Sequence, residues 1–79
     1  MVARAYVLLD IVDGKSEQVA QALQGKPGVV IAEQLEGPPD LIMVTEASDL
    51  PHLAKLTVQA ITSVEAMIHG LRLLPVQDP

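Results

Sequence analysis

Apolar residues along this chain fall into two successive copies of one pattern. Each copy has an apolar run, then a short segment with apolar positions three and four apart, then a second run. Residues 1–36 carry the first copy and residues 40–74 the second, which predicts the element order βαββαβ. In the first run, Val2 to Val12, the residues Ala3, Ala5, Val7, Leu9 and Ile11 point one way in a strand. Val2, Arg4, Tyr6, Leu8 and Asp10 point the other way. Both sets hold large apolar groups near the centre, which predicts a strand buried on two faces. Asp13-Gly14 ends it. Ser16 is placed to cap a short helix, with Glu17 against its dipole and Val19, Ala20, Ala22 and Leu23 on its inner side. Gly25 and Pro27-Gly28 stop that helix.

The second strand is expected over Val29 to Glu36. Val29, Ile31 and Leu35 share a face with Glu33, and Val30 and Ala32 share the other with Gln34 and Glu36. Gly37-Pro38-Pro39-Asp40 is a turn short enough to join antiparallel neighbours. Leu41 to Ala47 is the third strand. Ser48 or Asp49 caps a second helix with Pro51 in its first turn. Leu50, Leu53, Leu56, Ala60 and Ile61 form its sheet-facing stripe, and Thr62-Ser63 closes it. The last strand is expected from Val64 to Leu74, with Val64, Ala66 and Ile68 opposed to Met67, Leu71 and Leu73. Pro75 and the tail Val76 to Pro79 end the fold. This gives one domain over residues 1–75 and a C-terminal tail over residues 76–79.

With short links, this order predicts a ferredoxin-like α+β fold: a four-stranded antiparallel sheet with two helices on one face. The other face has no cover within one copy, and an exposed apolar face of that area is a liability in a monomer. A homodimer with the two sheets face to face is therefore expected. Burying several hundred Å² of apolar surface contributes on the order of 10 kcal/mol before association costs. Composition points the same way. Of the 79 residues, 49% are apolar, which is more than one small core holds, and Tyr6 is the sole aromatic residue, so the core is aliphatic.

Charge and residue type exclude several function classes. The net charge is −5, and the five basic residues are scattered. They form no basic stripe, and there is no aromatic platform, which argues against direct nucleic-acid binding. No apolar run is long enough to span a bilayer and no secretion leader is evident, so a soluble, cytoplasmic protein is expected. There is no cysteine, and neither His52 nor His69 has a second ligand at metal spacing, so neither a metal nor a cofactor is expected. Ser16, Ser48 and Ser63 read as caps or turns, without a nucleophile elbow around any of them.

The run Ala5-Tyr6-Val7-Leu8-Leu9, the Asp13-Gly14-Lys15 turn and the Leu23…Pro27-Gly28-Val29 link follow one another in a known order. So do the Gly37-x-x-Asp40-Leu41 turn and the amphipathic helix after Asp49. Together they resemble the effector-binding domain of the Lrp/AsnC transcriptional regulators, also called the amino-acid-metabolism regulation (RAM) domain. The likeness covers almost the whole chain. It implies a dimeric α/β barrel that assembles into higher oligomers of dimers, with a small effector, an amino acid in many relatives, bound between dimers. By that likeness Gly37, Pro38, Pro39, Asp40, Leu41, Thr62 and Ser63 are the expected ligand-binding residues, with no catalytic residue. Family members place a DNA-binding domain before this module. Met1 lies directly before the first strand, so a stand-alone version is expected, binding no DNA itself and pairing with a related regulator or sensing a metabolite. Two rivals use the same fold: a dimeric α/β-barrel enzyme of the small oxygenase or isomerase type, and a purely structural oligomerisation partner. A cavity lined by His69, Tyr6 or Glu65 would favour the enzyme.

Overall fold

The computed structural model of the chain describes residues 2–77, with the main chain alone at Pro75 and Gln77. The order is β1 (Ala3–Ile11), α1 (Ser16–Gln24), β2 (Val29–Gln34), β3 (Leu41–Ala47), α2 (Leu50–Thr62) and β4 (Ile68–Gln77). A 3-10 turn, Glu65–Met67, precedes β4. The strands form one sheet in the order β2-β3-β1-β4, with every neighbouring pair antiparallel. This is the expected ferredoxin-like α+β arrangement.

The core lies between the helices and one face of the sheet. Ala3, Ala5, Val7, Leu9 and Ile11 of β1 are at most 3% exposed, and they meet Leu41 and Met43 of β3, Val19 and Leu23 of α1, and Leu53 and Ala60 of α2. The alternate residues Arg4, Tyr6, Leu8 and Asp10 are only half-buried. The expectation of a strand buried on two faces is therefore corrected for the single chain. Both helices lie on one side, and the described residues include no further element for the other. Gly28 sits between α1 and β2 with φ +82°, where a Cβ would come within 2.8 Å of the Leu56 side chain. The chain crosses there because this residue has no side chain.

Four local expectations need correction. Ser16 does not cap α1. The cap position is Lys15, which makes no side-chain cap bond. The turn closed by the Lys15 N–H on the Val12 carbonyl brings Ser16 inside the first helical turn. In β2 a bulge between Val29 and Ile31 resets the faces. Val29 and Ala32 oppose Thr45 and Met43 on the helix side, while Ile31 and Glu33 oppose Val44 and Ile42 on the open side. β4 starts at Ile68 and not at Val64, because Val64 is buried in the core and Glu65–Met67 turns the chain. It then runs past Pro75, where an end was expected, pairing Val76 with Arg4 and Gln77 with Ala3. An edge strand tolerates a proline whose missing N–H faces away from its neighbour. Asp78 and Pro79 of the expected tail lie outside the described residues.

The second helix starts as expected: Asp49 Oδ1 accepts from the His52 N–H at 2.9 Å, and Pro51 sits in the first turn. Its inner face is not as expected. Leu50 is 43% exposed, and Thr57 is buried instead. The Thr57 hydroxyl lies 2.7 Å from that of Thr45 on β3, so each satisfies the other inside an aliphatic core. Leaving one buried hydroxyl without a partner costs more than removing both. Urea denaturation of Thr57→Val is therefore expected to show a loss of about 1–3 kcal/mol, with the double variant Thr45→Val/Thr57→Val closer to the parent.

The His52 N–H, and then the His52 ring, hold the Asp49 carboxyl below its ordinary value of 3.8. A lowered folded-state pKa stabilises fully above the unfolded value and stops doing so as pH falls through the folded one. Asp49→Ala is thus expected to lower the melting temperature at pH 7 but to have far less effect at pH 2.

Candidate functional site

Three surfaces stand out, and the first is the end of the sheet where β1 runs out. Gly37, with φ +76°, turns the chain into Pro38 and Pro39, which are joined by a cis peptide bond. Gly37 and Pro38 are exposed, and Pro39 and Asp40 are half-buried. Asp40 is tied down at every polar group. Its Oδ2 accepts from the Ile11 N–H at 2.8 Å, its N–H donates to the Leu9 carbonyl at 2.9 Å, and its carbonyl accepts from Leu35 at 2.8 Å. The carboxylate thus reaches across to β1 and does not close its own turn. Leu41 is fully buried in the core.

Thr62 and Ser63 end α2, both exposed, with the Ser63 hydroxyl donating to the Ala60 carbonyl at 2.6 Å. The segment that follows them is anchored where the Val12 N–H donates to the Met67 carbonyl at 2.9 Å. Consecutive N–H groups at the end of β1, those of Ile11 and Val12, therefore hold the Gly37–Asp40 turn and the link after α2. The structure brings the two groups of expected ligand-binding residues to one end of the sheet, apart from Leu41, which points inward.

The second surface is the open face of the sheet. Its register sets Tyr6 between Val44 and Leu74, and Leu8 between Ile42 and Arg72. Val44 is 3% exposed at its centre, whereas Ile31 and Leu74 at its flanks are 42% and 57% exposed. At one end Arg4 pairs with Glu46, with 2.7 Å from both Nε and Nη2 to the carboxylate. The Tyr6 hydroxyl and Glu46 both raise the Arg4 pKa. Glu46 holds Arg4 more firmly, since Tyr6 is 3.5 Å away.

The third surface did not emerge from the sequence. Between α2 and β4 lies an apolar groove of about 390 Å³, lined by Ala5, Leu50, Ala54, Val58, Leu71 and Leu73 among others. Among the described residues that line it, Thr57 is the one polar residue, and its hydroxyl is already bound to Thr45. The sequence signal is present in Leu50, Ala54 and Val58, which are four apart, but the stripe read from the sequence was Leu50, Leu53, Leu56, Ala60 and Ile61, and Val58 was assigned to no face. No His, Tyr or Glu lines this groove, so it does not provide the cavity that the enzyme rival needs. Among the described residues, no three His, Cys, Asp or Glu side chains converge as metal ligands. No helix there is long and apolar enough to cross a membrane.

No known protein-family model and no curated protein matches the chain. Solved structures do. The hypothetical protein PHS023 from Pyrococcus horikoshii is 25% identical, with a TM-score of 0.86 over 100% of this chain and 93% of its own. FFRP-DM1 is 26% identical, with a TM-score of 0.81 over 98% of this chain and 100% of its own. Two regulators share the fold over about half their own length. E. coli AsnC is 14% identical with a TM-score of 0.78, covering 98% of this chain and 52% of its own. The transcriptional regulator NMB0573 of Neisseria meningitidis, solved as an L-Met complex, is 14% identical with a TM-score of 0.70, covering 96% of this chain and 50% of its own.

The Asp40 carboxylate holds the turn by a charge-assisted bond to a main-chain N–H. Asp40→Ala is expected to cost about 1.5–3 kcal/mol in a denaturant titration, and Asp40→Asn, which keeps an acceptor oxygen, less.

Proposed function

We propose, from the premise that this chain has the fold of an Lrp/AsnC RAM-like domain, that it is a non-enzymatic module that self-associates and binds a small effector, an amino acid. One observation carries the reading. The Gly37–Asp40 turn is fixed to Ile11 at the end of β1, and the link that follows the Thr62–Ser63 helix end is fixed through the Met67 carbonyl to the next residue, Val12, with Gly37, Pro38 and Thr62 open to solvent. Such a ligand has an ammonium and a carboxylate. Pro38 and Pro39 offer no N–H to the carboxylate and the Ser63 hydroxyl already donates to the Ala60 carbonyl, so the Thr62 hydroxyl and a second copy's surface are the donors that the reading assigns to it. The L-Met complex of a regulator with the same fold supports the ligand class. The bare sheet face supports a second copy of the chain as the first partner. A ligand held between copies acts by differential affinity, favouring the assembly that completes its site.

The enzyme rival has no observation in its favour: the groove beside α2 holds no acid, base or nucleophile.

An amino-acid panel that includes L-methionine, followed by thermal shift and by sedimentation velocity, tests the reading. At a hundredfold excess over its dissociation constant, a true effector raises the melting temperature by on the order of 10 °C. It also moves the assembly to a larger species. A panel in which no member does either would contradict the effector role.

A further inference from the structure

The groove between α2 and β4 is a trough whose two walls come from the same chain. Leu50, Ala54, Val58 and Ile61 of α2 form one wall, Leu71 and Leu73 of β4 form the other, and Ala5 of β1 lies at the base. Val58 is 60% exposed, and Leu71 and Leu73 are each 48% exposed, so the fold leaves these apolar walls in water. Ala54 keeps the trough open. It is exposed midway along the α2 wall, where a larger side chain would take up the space.

Size and shape limit what can fill the trough. A dry apolar cavity of about 150 Å³ holds a benzene-sized molecule. The volume here, about 390 Å³, therefore holds roughly fifteen apolar heavy atoms. That exceeds every amino-acid side chain. The α2 wall from Leu50 to Ile61 is about 16 Å long, at about 1.5 Å per residue, so the space is elongated. An unbranched aliphatic chain has that form. Thr57 offers it no polar group along the way, because its hydroxyl is spent on Thr45.

Charge at the two ends of α2 selects the head group. At the Leu50 end, the Asp49 carboxylate already caps the helix and answers the positive pole of its dipole. At the Ile61 end, the last turn of α2 has no basic residue, so the negative pole is unanswered. Glu65, exposed in the turn that follows, adds a negative charge there. A chain of net charge −5 also disfavours an anionic head.

We propose that this groove binds a single-chain aliphatic amine, with its tail along α2 over Ala54 and its ammonium at the Ile61 end, beside the helix C-terminus and Glu65. None of the expected effector-binding residues lines the groove, and the inference does not rest on the amino-acid reading. The groove is on the helix side of the sheet, so a second copy seated on the open face leaves it uncovered.

Calorimetric titration of the full chain with primary alkylamines from butylamine to dodecylamine, below their micelle concentrations, tests the site. Affinity is expected to rise by about two- to fourfold per added methylene, with a negative heat-capacity change. Dodecanoate, the charge control, is expected to bind roughly tenfold more weakly than dodecylamine. Ala54→Phe fills the trough from an exposed position and is expected to weaken dodecylamine roughly tenfold, with circular dichroism unchanged. Val58→Lys on the exposed rim is expected to weaken it as well, and serves should Ala54→Phe fail to fold. Glu65→Lys is expected to narrow the gap between dodecylamine and dodecanoate while keeping the dependence on tail length. An affinity independent of tail length, or unchanged in folded Ala54→Phe and Val58→Lys, would overturn the groove as the site. Dodecanoate binding as tightly as dodecylamine would overturn the cationic head. Amino acids have no part in this titration, so its failure leaves the effector reading standing, and an inactive amino-acid panel leaves this one standing.

Discussion

A four-stranded sheet with both its helices on one side has a second side to satisfy, and that asymmetry governs the rest of this molecule. On the helix side, β1 places five residues at or below 3% exposure. On the other side, the alternate positions hold Tyr6 and Leu8 beside Ile42, Val44 and Leu74, and the described residues supply no element to lie over them. Val44 is packed by its neighbours, yet the residues around it stay open. A bare apolar face of this extent is a liability for a small domain whose margin of stability is only a few kcal/mol, and it favours a partner. In the proposed reading this surface is one half of a core shared with a second copy.

β4 adds to the asymmetry. It is an edge strand, it is apolar on both faces, and its charges are basic, whereas those of the opposite edge are acidic. A monomer under selection to stay single would blunt such an edge with charges of one sign on both strands or with an inward charge. The end that carries the Gly37–Asp40 turn is of a different kind. There, three polar groups of Asp40 are used within the chain, which leaves a rigid turn with an exposed surface of glycine and proline. Rigidity of this sort suits a site completed by another copy, because little ordering has to be done on binding.

Much of this could be read from the sequence, for identifiable reasons. Strand β3, the Asp49 cap with Pro51, the Gly37 turn and the end of α2 at Thr62 depend on local chemistry, and each lies where the residues placed it. Apart from the Ser16 cap, which a local turn displaces, the misses turn on non-local geometry. Nothing in Val29-Val30-Ile31 announces a bulge, because alternation looks the same until a partner strand fixes the register. The apolar Val64 to Met67 segment has strand composition, but the buried Val64 side chain anchors a turn there. Thr57 reads as a polar surface position, and its burial depends on Thr45 from another element. The groove beside β4 depends on how far α2 spreads across the sheet, which no helical period contains. For the expected ligand-binding residues, the sequence supplied the two segments but not what joins them, the neighbouring N–H groups of Ile11 and Val12.

Sedimentation equilibrium of the unmodified chain over a concentration range that includes low micromolar tests the central claim most directly. The account predicts a particle of at least twice the 8.4 kDa chain mass, with any dissociation accompanied by loss of folded structure. A stable, folded 8.4 kDa monomer at those concentrations would contradict it.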